Sequence, residues 1–102
     1  MHLVQLFLPM RDRAGAPFPK ALYAQLRDEL VERFGGITVY TRAPADGLWQ
    51  DGEGGTTHDD IVIYEVMTDI LDPAWWGGQR AELEARFAQQ QLVVRAQSLQ
   101  LL

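Results

Sequence analysis

The sequence predicts an α+β fold in the order βαββαβ, with four strands in one antiparallel sheet and two helices packed on one face. Three observations carry this expectation. Short apolar or β-branched runs fall at His2–Leu8, Ile37–Thr41, Ile61–Thr68 and Leu92–Ala96. Two amphipathic stretches, each with its own start or stop chemistry, separate the first run from the second and the third from the fourth. Finally, Arg27-Asp-Glu-Leu-Val-Glu-Arg-Phe34 recurs as Arg80-Ala-Glu-Leu-Glu-Ala-Arg-Phe87, and at the same offset Val39 aligns with Leu92, Arg42 with Arg95 and Ala43 with Ala96. A helix-plus-strand unit used twice is what a split βαβ duplication predicts.

Element by element, the apolar run His2–Leu8 is a first strand, ended by Pro9. Arg11–Pro19 is a loop rich in small residues, and Pro19 suits the first turn of a helix. Leu22, Leu26, Leu30 and Phe34 form one helical stripe, with Tyr23 and Val31 beside it. Gly35-Gly36 then stops the helix, because glycine takes the left-handed conformation at little cost. Ile37–Thr41 is the second strand. The segment 43–60 carries Gly47, Gly52, Gly54 and Gly55 with several acids, and reads as a long mobile loop, either functional or disordered. Ile61–Thr68 is the third strand. Asp72-Pro73 supplies an N-cap and a first-turn proline for a second helix, with Trp76, Leu83 and Phe87 inward and an end near Gln90. Leu92–Ala96 closes the order, so residues 1–102 form a single ferredoxin-like domain.

Composition narrows the function classes. With 47% hydrophobic and 23% charged residues the chain is globular rather than disordered. The net charge of -5 and the single lysine, Lys20, argue against a nucleic-acid partner, because phosphate neutralisation needs clustered cations. No apolar run approaches the length of a membrane span, and the start lacks a basic leader, so a cytoplasmic location is expected. The absence of cysteine excludes disulfides, thiolate catalysis and cysteine-held metal. Phosphate loops, dinucleotide fingerprints and nucleophile elbows are missing too, so no cofactor is expected.

Period-two alternation assigns the faces. Val4, Leu6, Leu8, Ile37, Val39, Val62, Tyr64, Val66, Leu92 and Val94 are expected under the helices. The open face then carries Leu3, Gln5, Phe7, Thr38, Tyr40, Arg42, Ile61, Ile63, Glu65, Met67, Val93 and Arg95. This phase keeps Glu65 and both arginines out of the helix-packed core. It also leaves a contiguous apolar surface too large for a monomer, so a second copy of the chain is expected to cover it. The tail Leu99, Leu101, Leu102 adds to that contact or covers the face within one chain.

This order with an apolar open face resembles the dimeric α+β barrel group among the α–β plaits, which includes cofactor-independent monooxygenases, isomerase-like enzymes and haem-active proteins. Glu32-Arg-Phe-Gly-Gly-Ile-Thr-Val-Tyr40, followed by Gly47-Leu-Trp49, is also similar to small uncharacterised bacterial domains of this shape. The resemblance implies a homodimer and, as the alternative, a cofactor-independent enzyme acting on a small organic molecule. It transfers no catalytic residue.

The polar minority of the open face is the candidate site. Glu65, Tyr40 and Arg42 are the catalytic candidates, and Gln5, Arg95 and Trp49 the ligand-binding ones. A carboxylate among apolar neighbours holds its proton more tightly and suits general-base chemistry. Arginine and tyrosine suit an anionic or enolic substrate. The structural alternative is that Glu65 pairs with Arg42 or Arg95, within the sheet or across a dimer, and fixes register. His58-Asp59-Asp60 closes the glycine-rich segment, but adjacent strand residues diverge and no second histidine motif supports them, so solvated loop residues and no metal are expected. Trp49 is expected to anchor its loop or line a pocket mouth. Gly77-Gly78 inside the second helix costs about 2 kcal/mol relative to alanine, and the bulk of Trp75 and Trp76 is the expected reason. Glu29–Arg33 and Glu82–Arg86 are read as solvated i,i+4 pairs.

Overall fold

A computed structural model describes residues 1–40, 46–50 and 56–102. The elements are β1 (His2–Pro9), α1 (Lys20–Phe34), β2 (Thr38–Tyr40), β3 (Asp46–Gln50), β4 (Thr56–Thr68), α2 (Pro73–Arg86) and β5 (Val93–Ser98). Four strands form an antiparallel sheet in the order β2-β4-β1-β5, with the two helices on one face. This is the ferredoxin-like α+β fold.

One expectation is corrected. Within the segment read as a loop, β3 pairs antiparallel with the first part of β4, from Asp46 opposite Asp60 to Gln50 opposite Thr56. The third sheet strand therefore begins at Thr56 rather than Ile61. His58, Asp59 and Asp60 are strand residues of this hairpin, not loop residues. Glycine and acid composition hid the pairing, because a two-stranded ladder needs backbone groups and no apolar alternation. α2 also ends at Arg86, short of Gln90.

Local chemistry explains both helices. Pro19 precedes α1, and Gly35 closes it at φ 85 with its N–H donating to the Val31 carbonyl. The Asp72 carboxylate caps α2 by accepting from the Trp75 N–H at 3.1 Å. The Glu84 carboxylate accepts from the Leu92 N–H at 2.9 Å and so ties the end of α2 to the entry of β5.

The core lies between helices and sheet. Val4, Leu6, Leu8, Val62, Tyr64, Val66 and Leu92 meet Leu26, Leu30, Trp76, Leu83 and Phe87, all buried. Ile37, Val39 and Val94 pack against it, so the assigned face holds at every strand. Burying each aliphatic side chain contributes about 1.5–3 kcal/mol. The repeated segments fall on equivalent elements: Leu30 of α1 and Leu83 of α2 are both fully buried. Val31, expected beside the apolar stripe, is instead exposed.

The two charge pairs differ from expectation. Glu82–Arg86 closes at 2.8 Å within α2, but Glu29 turns across the helices to Arg86 at 3.3 Å rather than to Arg33. The Arg86 side chain is only 10% exposed, so it is an interhelical tie and not a solvated face. Arg33 instead lies over the Trp75 ring, 4.0 Å from its centroid. Trp75 and Trp76 pack edge-on against each other and both meet Phe34. A methyl group on Gly77 or Gly78 would meet nothing within 4 Å beyond its chain neighbours, so close approach of another element does not explain these glycines.

Candidate functional site

Strand register builds a polar row across the middle of the open face. Gln5 of β1 lies opposite Glu65 of β4 on one side and Arg95 of β5 on the other, and Glu65 lies opposite Thr38 of β2. The row therefore reads Arg95–Gln5–Glu65–Thr38. Neighbouring strands are about 4.8 Å apart, so Arg95 and Glu65 sit two strands, about 10 Å, from each other. Apolar residues bracket the row. On one side Phe7 is flanked by Ile63 and Val93, and on the other Leu3 is flanked by Met67 and Gln97.

Two polar pairs organise the row. The Arg95 Nε–H donates to Gln5 Oε1 at 2.9 Å, and the guanidinium lies over the Phe7 ring, 4.7 Å from its centroid. This support from Phe7 was not read from the sequence, although both residues were assigned to the same face. Its signal is register: Phe7 follows Gln5 by two and is opposite Val93, the neighbour of Arg95 by two. The second pair is Tyr40 and Glu65. The Glu65 carboxylate, as a hydrogen-bond acceptor first and as a charge second, holds the Tyr40 phenol above its usual 10.0. Tyr40 lies opposite Ile63, so it reaches Glu65 diagonally along β4.

Among the described residues, no cation lies within ion-pair distance of Glu65 and no carboxylate within that distance of Arg95. Chemically, the row offers a carboxylate that accepts a proton, a phenol that donates one, and a guanidinium held flat by a ring and an amide.

The remaining candidates lie elsewhere. Trp49 is in β3 opposite Thr57, at the start of β4, whereas Glu65 lies toward its end. Arg42 is outside the described residues. A groove of about 370 Å³ runs between α2 and β5, lined by Val4, Leu71, Trp76, Gly77 and Arg80 together with the strand residues Val94 to Ala96. A second, of about 460 Å³, is lined by Asp12, Arg13, Phe18, Phe87 and Gln89. Neither is lined by Glu65, Tyr40 or Gln5.

Among the described residues no helix is long and apolar enough to cross a membrane, and no three His, Asp or Glu side chains come together as a metal site would require. No family model matches the sequence, and no curated protein matches it. Among solved structures the chain is similar to a phage SAM lyase determined in complex with S-methyl-5'-thioadenosine. The TM-score is 0.60 at 13% identity, over 95% of this chain and 80% of that one. A likeness at this identity is one of fold.

Proposed function

We propose that this protein is a homodimeric module whose open sheet face is its self-interface. The observation that carries this reading is the apolar surface around the polar row. Met67 and Val93 are 51% and 50% exposed, Tyr40 is 43% exposed, and half-buried Leu3, Phe7, Ile61 and Ile63 join them into one patch. Monomers rarely present such continuous surface, and a twofold copy is the commonest way to cover it. The C-terminal Leu101 and Leu102 are themselves exposed, which supports a second chain rather than this chain's own tail as the cover. Light scattering on the chain of 11.5 kDa tests it. A dimer mass at micromolar concentration is expected, and a monomer there contradicts the reading.

The second reading is a cofactor-independent enzyme acting on a small organic substrate across the same face. The proximity of Tyr40 and Glu65 favours it, because the carboxylate that raises the phenol sets a proton acceptor beside a proton donor on an apolar surface. The fold shared with the phage SAM lyase suggests a first probe. A sulfonium is a cation, and a carboxylate that has no cation beside it among the described residues complements one. Calorimetric titration with S-adenosylmethionine and with S-methyl-5'-thioadenosine tests this reading. Binding to the native chain that is lost in Glu65→Gln supports it, and no binding of either compound removes it in that form.

A further inference from the structure

Resting on the self-association just proposed, we infer that the two copies pack with their twofold axis along β1 over Gln5, so that Glu65 of each copy meets Arg95 of the other. The row itself makes the choice. Two sheets packed face to face are about 10 Å apart, and their twofold axis lies between them, parallel to the sheets. Two directions suit an aligned packing centred on Gln5, along the row or along the strands.

An axis along the row places every residue of the row over its own copy. Glu65 then faces Glu65 and Arg95 faces Arg95, and both like-charge contacts are buried among Phe7, Leu3, Ile63 and Met67. An axis along β1 exchanges the two sides of the strand instead. Gln5 stays over Gln5, while Glu65, on the β4 side, comes over the second copy's Arg95, on the β5 side. The same rotation lays Ile63 over the second copy's Val93 and Phe7 over Phe7. Charge meets opposite charge twice, and the one mixed contact is Met67 over the second copy's Gln97.

The side chains are prepared for this arrangement. Among the described residues neither Glu65 nor Arg95 has an ion-pair partner in its own chain. Gln5 and the Phe7 ring hold Arg95 in place without neutralising it. Tyr40, whose phenol the Glu65 carboxylate holds above its usual 10.0, is a neutral neighbour and not an ion-pair partner. A buried pair of this kind sets register and partner choice more than raw affinity.

Charge reversal tests the register, with dimer dissociation constants read by sedimentation equilibrium. Glu65→Arg alone and Arg95→Glu alone each oppose like charges across the interface, and each is expected to weaken the dimer about a hundredfold. The double variant E65R/R95E restores opposite charges and is expected to return near the native constant. Mixing the two single variants places two arginines against two glutamates, so a heterodimer forms from chains that are monomeric alone. That rescue also shows that both single variants are folded. A native dimer that neither single substitution weakens overturns the register while leaving self-association standing. So does weakening by both that neither the double variant nor the mixture relieves. A native chain that is monomeric throughout overturns self-association and the register with it.

Discussion

On the helix-covered face of the sheet Val4, Leu6, Leu8, Val62, Tyr64 and Val66 are buried within one chain, while their alternating neighbours Leu3, Phe7, Ile61 and Ile63 are half-buried and Met67 and Val93 about half exposed. Both sets belong to the same sheet and have the same apolar character. They differ in what lies above them, since two helices cover the first set and none of the described residues covers the second. A sheet of this kind teaches that side-chain alternation settles the face but not the partner. The covered face carries the folding energy of one chain, and on the proposed reading the open face holds energy in reserve for association.

The contrast breaks most visibly in the core. Leu30→Ala or Leu83→Ala removes a fully buried side chain and is expected to lower unfolding free energy by about 2–5 kcal/mol in urea denaturation. Val93→Lys on the open face is expected to change unfolding of the monomer by less than about 1 kcal/mol while abolishing the dimer. If Val93→Lys unfolds the chain, the open face is part of the core and the distinction fails.

Two arginines sharpen it further. Arg86, nearly buried, binds Glu29 and Glu82 at once, and Arg86→Ala is expected to cost about 2 kcal/mol of unfolding free energy. Arg95, exposed and bound to Gln5, is expected to cost under about 1 kcal/mol in the monomer when replaced by alanine. Equal losses in thermal or urea unfolding would contradict the division of labour between the faces. The Asp72 cap belongs to the covered side, and Asp72→Ala is expected to cost about 1 kcal/mol, seen as earlier fraying of α2 in hydrogen exchange.

The smallest effect is at alkaline pH. Burial raises the phenols of Tyr23 and Tyr64 above 10.0 on the helix side. Tyr23 donates to the Pro9 carbonyl at 2.6 Å, and Tyr64 to the Tyr23 carbonyl at 3.4 Å. A phenol held above its unfolded value binds its proton more tightly when folded. Its contribution is fully present below pH 10.0 and is lost as pH rises through the raised value. Stability is therefore expected to fall above pH 10.0, and Tyr64→Phe to flatten that fall. An unchanged slope in Tyr64→Phe would show that its burial does not matter to titration.

Much of this fold was legible because period two is rigid. One phase choice, made to keep Glu65 and Arg95 off the core, placed Val4 through Leu8 and Val62 through Val66 correctly. Caps were legible for the same reason, as Asp72 and Gly35 act on backbone groups next to them. β3 was not legible, because the glycines and acids of segment 43–60 read as loop and the start of β4 carries no apolar alternation. Nor was the Glu29–Arg86 tie, since i,i+4 spacing offered Glu29 a nearer partner that tertiary packing overrules. Within the site, alternation placed Gln5, Glu65 and Arg95 on one face, and the observed register aligned them in a row. The Phe7 support under Arg95 needed the register.

The central claim is that a second copy covers the open face, and oxidative footprinting of methionines tests it most directly. Met67 on that face and Met10 beyond the end of β1 are comparably exposed in one chain, at 51% and 40%. Raising protein concentration through the association range is expected to protect Met67 from hydroxyl-radical oxidation while Met10 continues to react. Equal oxidation of both at every concentration would contradict the account.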